Sequence, residues 1–168
     1  AAAIDVHQTI IDIAPEAESY SALERLLAAA ERWDDLVALY ERQIGLGPAA
    51  ERRAMLHYEL GKVLEGKLGD FERTFDQYEQ ALRLDPQHGP TVAALASLME
   101  RPEHAFRAAT MLEDVYLARL DWRKVMETIE ARLAVCDDAR SVNRRLTTIR
   151  GGFVNSVYPR MPSGRSPA

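Results

Sequence analysis

The chain has 168 residues, 47% of them hydrophobic, 28% charged and 7% aromatic, which is enough for one sizeable water-facing domain with its own core. No apolar run approaches the ~18 residues of a membrane-crossing helix, and no basic leader with an apolar stretch marks a signal peptide. After Asp138 come six arginines (Arg140, Arg144, Arg145, Arg150, Arg160, Arg165) and no acid, whereas the first 138 residues hold 15 basic and 26 acidic side chains, net −11, so the formal charge of −5 is unevenly spread.

An acidic body argues against nucleic acid as its main ligand, because neutralising phosphates needs clustered Lys and Arg. The chain opens on Ala-Ala-Ala without Met, which reads as a fragment of a longer protein, a processed chain or an artificial start. The single cysteine, Cys136, excludes an intramolecular disulfide, and a reduced, cytoplasmic setting is the expectation.

Apolar residues recur at helical spacing along most of the chain. Pro15 closes a first helix-like segment. From Glu18 to Ala30, Ala22, Leu23, Leu26, Leu27 and Ala30 trace one face; from Trp33 to Ile44 the stripe is Trp33, Leu36, Val37, Tyr40 and Ile44. Gly45, Gly47 and Pro48 end that helix. The next runs from Ala49 to Lys67, Gly69-Asp70 makes a turn with Asp70 as N-cap, and a return helix from Phe71 to Leu84 turns Phe71, Thr74, Phe75, Tyr78, Ala81 and Leu82 inward. Asp85-Pro86 closes it, since the residue before proline is pushed out of helical geometry. Gly89-Pro90 opens a helix with Val92, Leu95, Leu98 and Met99, and Pro102 opens another with Phe106, Ala109, Leu112, Val115 and Tyr116. Leu120-Asp121-Trp122 marks a turn, followed by Val125, Met126, Ile129 and Leu133 on a helix ending near Asp137. Val142, Leu146 and Ile149 are spaced for one more short helix, and residues 151–168, with three prolines and three glycines, read as an irregular basic tail. No period-two run or Asn-Gly turn signals a strand.

The pattern repeats internally. Pro15, Pro48 and Pro86 are spaced by 33 and 38 residues, and Trp33 to Phe71 and Tyr40 to Tyr78 are each 38. A shift of 89 residues carries Leu23, Leu27, Trp33 and Val37 onto Leu112, Tyr116, Trp122 and Met126. Periods of this size fit stacked helix–turn–helix units.

The stretch 54–86 resembles a tetratricopeptide repeat, carried by His57, Leu60, Gly61 and Leu64 on its first helix and by Gly69, Phe71, Thr74, Tyr78, Ala81 and Pro86 after it. It departs from the family's pattern in two ways: the gap from Gly61 to Gly69 is one residue longer, and Thr74 replaces Ala. Residues 18–48, where Glu24 replaces the glycine, and 89–120 are looser copies. The resemblance implies an all-α, right-handed superhelical solenoid of antiparallel helix pairs, about 7–9 helices over residues 1–150. It also implies a concave groove, lined by the first helix of each pair, that binds a protein or peptide segment. By register the groove residues are Ser21 and Arg25, then Tyr58, Lys62 and Glu65, then Ala93 and Ser97. Chaperone-binding members clamp a peptide carboxylate with Lys, Arg and Asn there; Arg25 and Lys62 match, but no asparagine does. Arg25 and Lys62 taken singly also fit ordinary solvated charges.

Nothing in the sequence points to catalysis, a metal or a cofactor. His7, His57, His88 and His104 are dispersed, Cys136 has no CxxC or histidine partner, and the Gly-rich spots follow helices rather than strands. His57 reads as a packing residue, and Trp33 and Trp122 head apolar stripes as core or inter-repeat anchors. Mid-helix Gly61 costs about 1 kcal/mol against Ala, which predicts that a second helix backbone approaches closely there, the alternative being a tolerated surface glycine. The expected function is therefore a non-enzymatic protein-interaction scaffold, with possible self-association through uncovered repeat ends. The alternatives are a regulatory or substrate-recognition domain of an enzyme whose catalytic part lies elsewhere, and an RNA-associated helical repeat.

Overall fold

The computed structural model describes residue 9 and residues 17–135, and no strand occurs among them. The helix expected before Pro15, the one expected around Val142–Ile149, His7, Cys136, the six arginines and the tail 151–168 lie outside the described residues. The described chain is all-α. Seven helices follow in order: α1 Ala17–Ala29, α2 Trp33–Gly45, α3 Ala50–Val63, α4 Phe71–Leu84, α5 Gly89–Met99, α6 Pro102–Ala118 and α7 Trp122–Val135. A π-helical turn, Leu64–Leu68, extends α3.

Helices adjacent in sequence pack together: α1 on α2, α2 on α3, α3 on α4, and α6 on α7. The chain divides into two compact units between Leu98 and Met99. In the first unit, Tyr20, Leu23 and Leu27 of α1 meet Leu36, Val37, Leu39 and Tyr40 of α2 and Leu56, Leu60 and Leu64 of α3 and its extension in one buried cluster. Each fully buried leucine removes apolar area worth roughly 1.5–3 kcal/mol. On α4, Thr74 is buried where the repeat pattern has Ala; its hydroxyl donates to the Asp70 carbonyl at 2.8 Å, which satisfies the polar atom.

Three hairpin joints share one backbone design. Glu31 (φ 53°), Gly69 (φ 67°) and Leu120 (φ 57°) are left-handed, and each is followed by a capping position and an aromatic: Arg32-Trp33, Asp70-Phe71, Asp121-Trp122. At two of them the N–H groups of Arg32 and Asp121 donate to the carbonyls of Leu27 and Tyr116, each at 3.0 Å, five residues back. This is the Schellman arrangement that closes a helix C-terminus. At Gly69 the Asp70 N–H reaches one residue further, to the Leu64 carbonyl at 3.1 Å, because the π turn holds an additional residue. That turn absorbs the extra residue between Gly61 and Gly69. Asp70 is the N-cap expected, its Oδ1 accepting the Arg73 N–H at 3.1 Å.

At Gly61 a ring, not a helix backbone, makes the close approach. A Cβ there would lie 2.4 Å from Tyr78 Cε1 and 2.7 Å from Cδ1. The glycine is a seat for the Tyr78 ring.

In the second unit, Ala105, Ala108, Ala109, Leu112, Val115 and Tyr116 of α6 and Val125, Thr128 and Ile129 of α7 are buried. Phe106, Met126 and Leu133, expected on the buried stripes, are 42%, 36% and 38% exposed. On α7 the buried face is turned toward Thr128 and the partly buried Arg132. The Thr128 hydroxyl donates to the Val125 carbonyl, and the Arg132 guanidinium pairs with the buried Glu113 carboxylate while resting 5.1 Å from the Phe106 ring centre. Pairing explains why α6 tolerates a buried acid. Across the Leu120 joint, α6 packs on α7.

Candidate functional site

Tyr58, Lys62 and Glu65 lie within two turns on one side of α3 and its extension, following the i, i+4, i+7 rule. Beneath them sits Tyr78 of α4, fully buried, with its hydroxyl donating to Glu65 Oε2 at 2.8 Å. Burial first, then the Glu65 hydrogen bond and charge, push the Tyr78 phenol above its ordinary range, so it remains a protonated donor. The half-buried Tyr58 ring stacks on Tyr78 at 6.2 Å and 26°, and the His88 ring meets it edge-on at 5.4 Å and 64°. His88 is itself held by a 2.7 Å hydrogen bond between its Nδ1 and the hydroxyl of buried Thr91 on α5. Lys62 Nζ stands 5.6 Å from the Tyr58 ring centre, on the solvent side.

The structure therefore brings Tyr58, Lys62 and Glu65 into one cluster, but their roles differ. Glu65 is a strut for Tyr78, while Tyr58 is a fixed aromatic edge and Lys62 an exposed cation above it. Ser21 and Arg25 are exposed one turn apart on α1, and Ala93 and Ser97 likewise on α5. His57 behaves as a packing residue: its Nδ1 donates to Gln77 Oε1 at 2.8 Å across the α3–α4 hairpin. Trp33 is partly buried against the core, with Lys67 Nζ 4.8 Å above its ring. Trp122 is likewise half-buried.

Sequence reasoning missed His88 as the second support of Tyr58. The residue stands just before Gly89-Pro90, and the Val92 N–H donates to its carbonyl, so its position at the start of α5 was readable. Its contact with a ring thirty residues earlier was not. Also missed was Gln43, buried on α2, which donates to Glu24 Oε1 at 2.8 Å and accepts from Arg52 at 3.3 Å, tying α1, α2 and α3 together.

The cluster presents the half-buried Tyr58 ring and the exposed Lys62 cation, while the Tyr78 hydroxyl and the Glu65 carboxylate are committed to each other. A nucleophile paired with a base is not part of it. Among the described residues no three His, Cys, Asp or Glu side chains gather as a metal site, and no helix is long and apolar enough to cross a membrane. Comparison with models of known protein families and with curated proteins finds no match.

Proposed function

We propose that this chain is a tetratricopeptide-like helical repeat module that binds a protein or peptide segment, with Tyr58 and Lys62 at the centre of the contact. The superhelical solenoid and the non-catalytic role are part of the same proposal. The observation that carries it is the bracing of Tyr58. A half-exposed tyrosine held from below by a buried tyrosine and from the side by a tethered histidine loses little rotamer freedom on binding, which is the property of an aromatic hot spot. Lys62 adds a charge that would favour a segment carrying a carboxylate near an apolar residue.

The test is selection of binders from a random peptide library on the full chain, followed by their titration against a Tyr58→Ala/Lys62→Ala double variant. The expected result is a loss of binding of about 100-fold or more, as for two hot-spot side chains, with helicity unchanged. Peptides that bind the double variant as tightly as the natural chain would remove Tyr58 and Lys62 from the contact.

A further inference from the structure

The first hairpin treats its buried tyrosine differently from the second. Tyr40 on α2 stands one repeat before Tyr78 on α4, and both are buried. Tyr78 is seated on Gly61, and its hydroxyl donates to Glu65, four residues further along the same helix and its extension. In the first hairpin Glu24 replaces the glycine, and the residue four further on is Ala28, which has no acceptor to offer. Tyr40 is only 7% exposed, yet its hydroxyl has no hydrogen-bond partner among the described residues. A buried hydroxyl left so is costly. The charges that reach it are those of Glu24 on α1 and of Glu59 and Arg52 on α3. Arg52 does not neutralise the two acids, because its guanidinium is turned to Gln43 Oε1 at 3.3 Å and to Met55 Sδ at 3.8 Å. Glu24 is held through Oε1 by Gln43 Nε2 at 2.8 Å, which leaves Oε2 without a described partner. Glu59, half-buried, pairs with no described cation. The Glu59 charge also reaches Tyr78, on which Tyr58 stacks, so this acidic corner adjoins the Tyr58–Lys62 cluster.

We propose that Glu24, Tyr40 and Glu59 form a second subsite, which takes a basic side chain, lysine or arginine, of the segment bound at Tyr58 and Lys62; it rests on that proposed contact. The N–H donors of the cation meet carboxylate oxygens of Glu24 and Glu59. The Tyr40 oxygen accepts a further N–H while its own proton turns to a carboxylate, which satisfies the phenol that the first hairpin leaves unpaired. Such charge-assisted hydrogen bonds are roughly twice as strong as neutral ones. With Lys62 at one subsite and two acids at the other, the chain selects a segment of mixed charge and fixes its direction, acid toward Lys62 and base toward Glu24 and Glu59.

The test selects binders on the full chain from two random peptide libraries, one of them lacking Lys and Arg. Binders should come from the complete library, and replacing their basic residue by norleucine should weaken them about tenfold or more, as for one lost hydrogen bond to a charged group. Glu59→Gln and Glu24→Gln keep the shape of each side chain, and the second keeps an acceptor for Gln43. Each should weaken the basic peptides by about tenfold and leave their norleucine forms unaffected. Tyr40→Phe should keep or raise the Tm of the free chain, because it removes an unpartnered hydroxyl, and should also weaken the basic peptides. Equally tight binders from the library without Lys and Arg, no effect of Glu24→Gln and Glu59→Gln, or a lower Tm for Tyr40→Phe would overturn the subsite. If those peptides still lose affinity for the Tyr58→Ala/Lys62→Ala variant, the subsite alone falls. If they bind every variant alike, or neither library yields a binder, the Tyr58–Lys62 contact falls with it.

Discussion

Replacing Gly61 by alanine sets two effects of known sign against each other. Helix propensity favours alanine by about 1 kcal/mol. Against it, the new methyl would stand 2.4 Å from Tyr78 Cε1, far inside contact distance. The ring has no room to yield, because it is fully buried, its hydroxyl is tied to Glu65 and its face is stacked on Tyr58. Overpacking of a filled core costs roughly 1–3 kcal/mol. The expected net effect is therefore a loss of up to roughly 2 kcal/mol, which for a chain of this size lowers Tm by up to about 8 °C. Thermal melts followed by circular dichroism should be run on Gly61→Ala, Tyr78→Leu and the pair. With the ring gone, the alanine should be neutral or stabilising, so the double-mutant cycle should return a coupling of about 1 kcal/mol or more. A higher Tm for Gly61→Ala in the natural chain, or a coupling near zero, would refute the account of Gly61 as a seat for the ring.

Leu120 is 68% exposed and left-handed, so Leu120→Gly should raise stability by about 1 kcal/mol in thermal melts, with Gly69→Ala at φ 67° moving it the other way by a similar amount; a lower Tm for Leu120→Gly would contradict the strain. Deleting exposed Gly66 from the π turn should restore ordinary helix up to the Gly69 joint, with circular dichroism unchanged; loss of cooperative unfolding would mean that the wider turn is needed. Arg132→Met should cost about 3–5 kcal/mol by stranding the buried Glu113 carboxylate, and adding Glu113→Leu should recover much of it in denaturant titrations. Tyr40, raised chiefly by burial and then by Glu24 and Glu59, and Tyr78 both stay protonated in the folded chain above the ordinary phenol value. The unfolded chain then loses protons first, so stability should be intact below pH ~10 and fall above it by about 1.4 kcal/mol per pH unit for each tyrosine. Tyr78→Phe should shallow that decline, and an unchanged slope would show that this phenol does not ionise on unfolding.

Helix positions and joints were legible in the sequence because they are local properties. Gly69-Asp70 and Asp85-Pro86 act on the backbone where they stand, and the Leu23/Leu27 and Leu60/Leu64 spacings need only one helix to be read. What escaped was set by pairs across elements. Gly61 announced a close approach, but only packing decides whether a backbone or the Tyr78 ring fills it. Phe106, Met126 and Leu133 fit the period of a buried stripe, yet Glu113 and Arg132, charged residues that no apolar spacing points to, pair with each other and turn the buried face of α7 toward themselves. At the candidate site, Tyr58 and Lys62 were readable from repeat register. The strut role of Glu65 and the support from His88 depend on Tyr78 and Thr91, which no spacing connects to them.

The π turn bears on how such a chain can change length. An extra residue in an α-helix rotates everything after it by about 100° and would swing the packed face away from its partners. Here the added residue is confined to Leu64–Leu68, so Leu60 and Gly61 before it and Gly69 and Asp70 after it keep their seats. Insertions of this kind are silent in three dimensions and visible only as a drift of period in one. A helical array that accommodates them can lose its numerical repeat faster than its contacts.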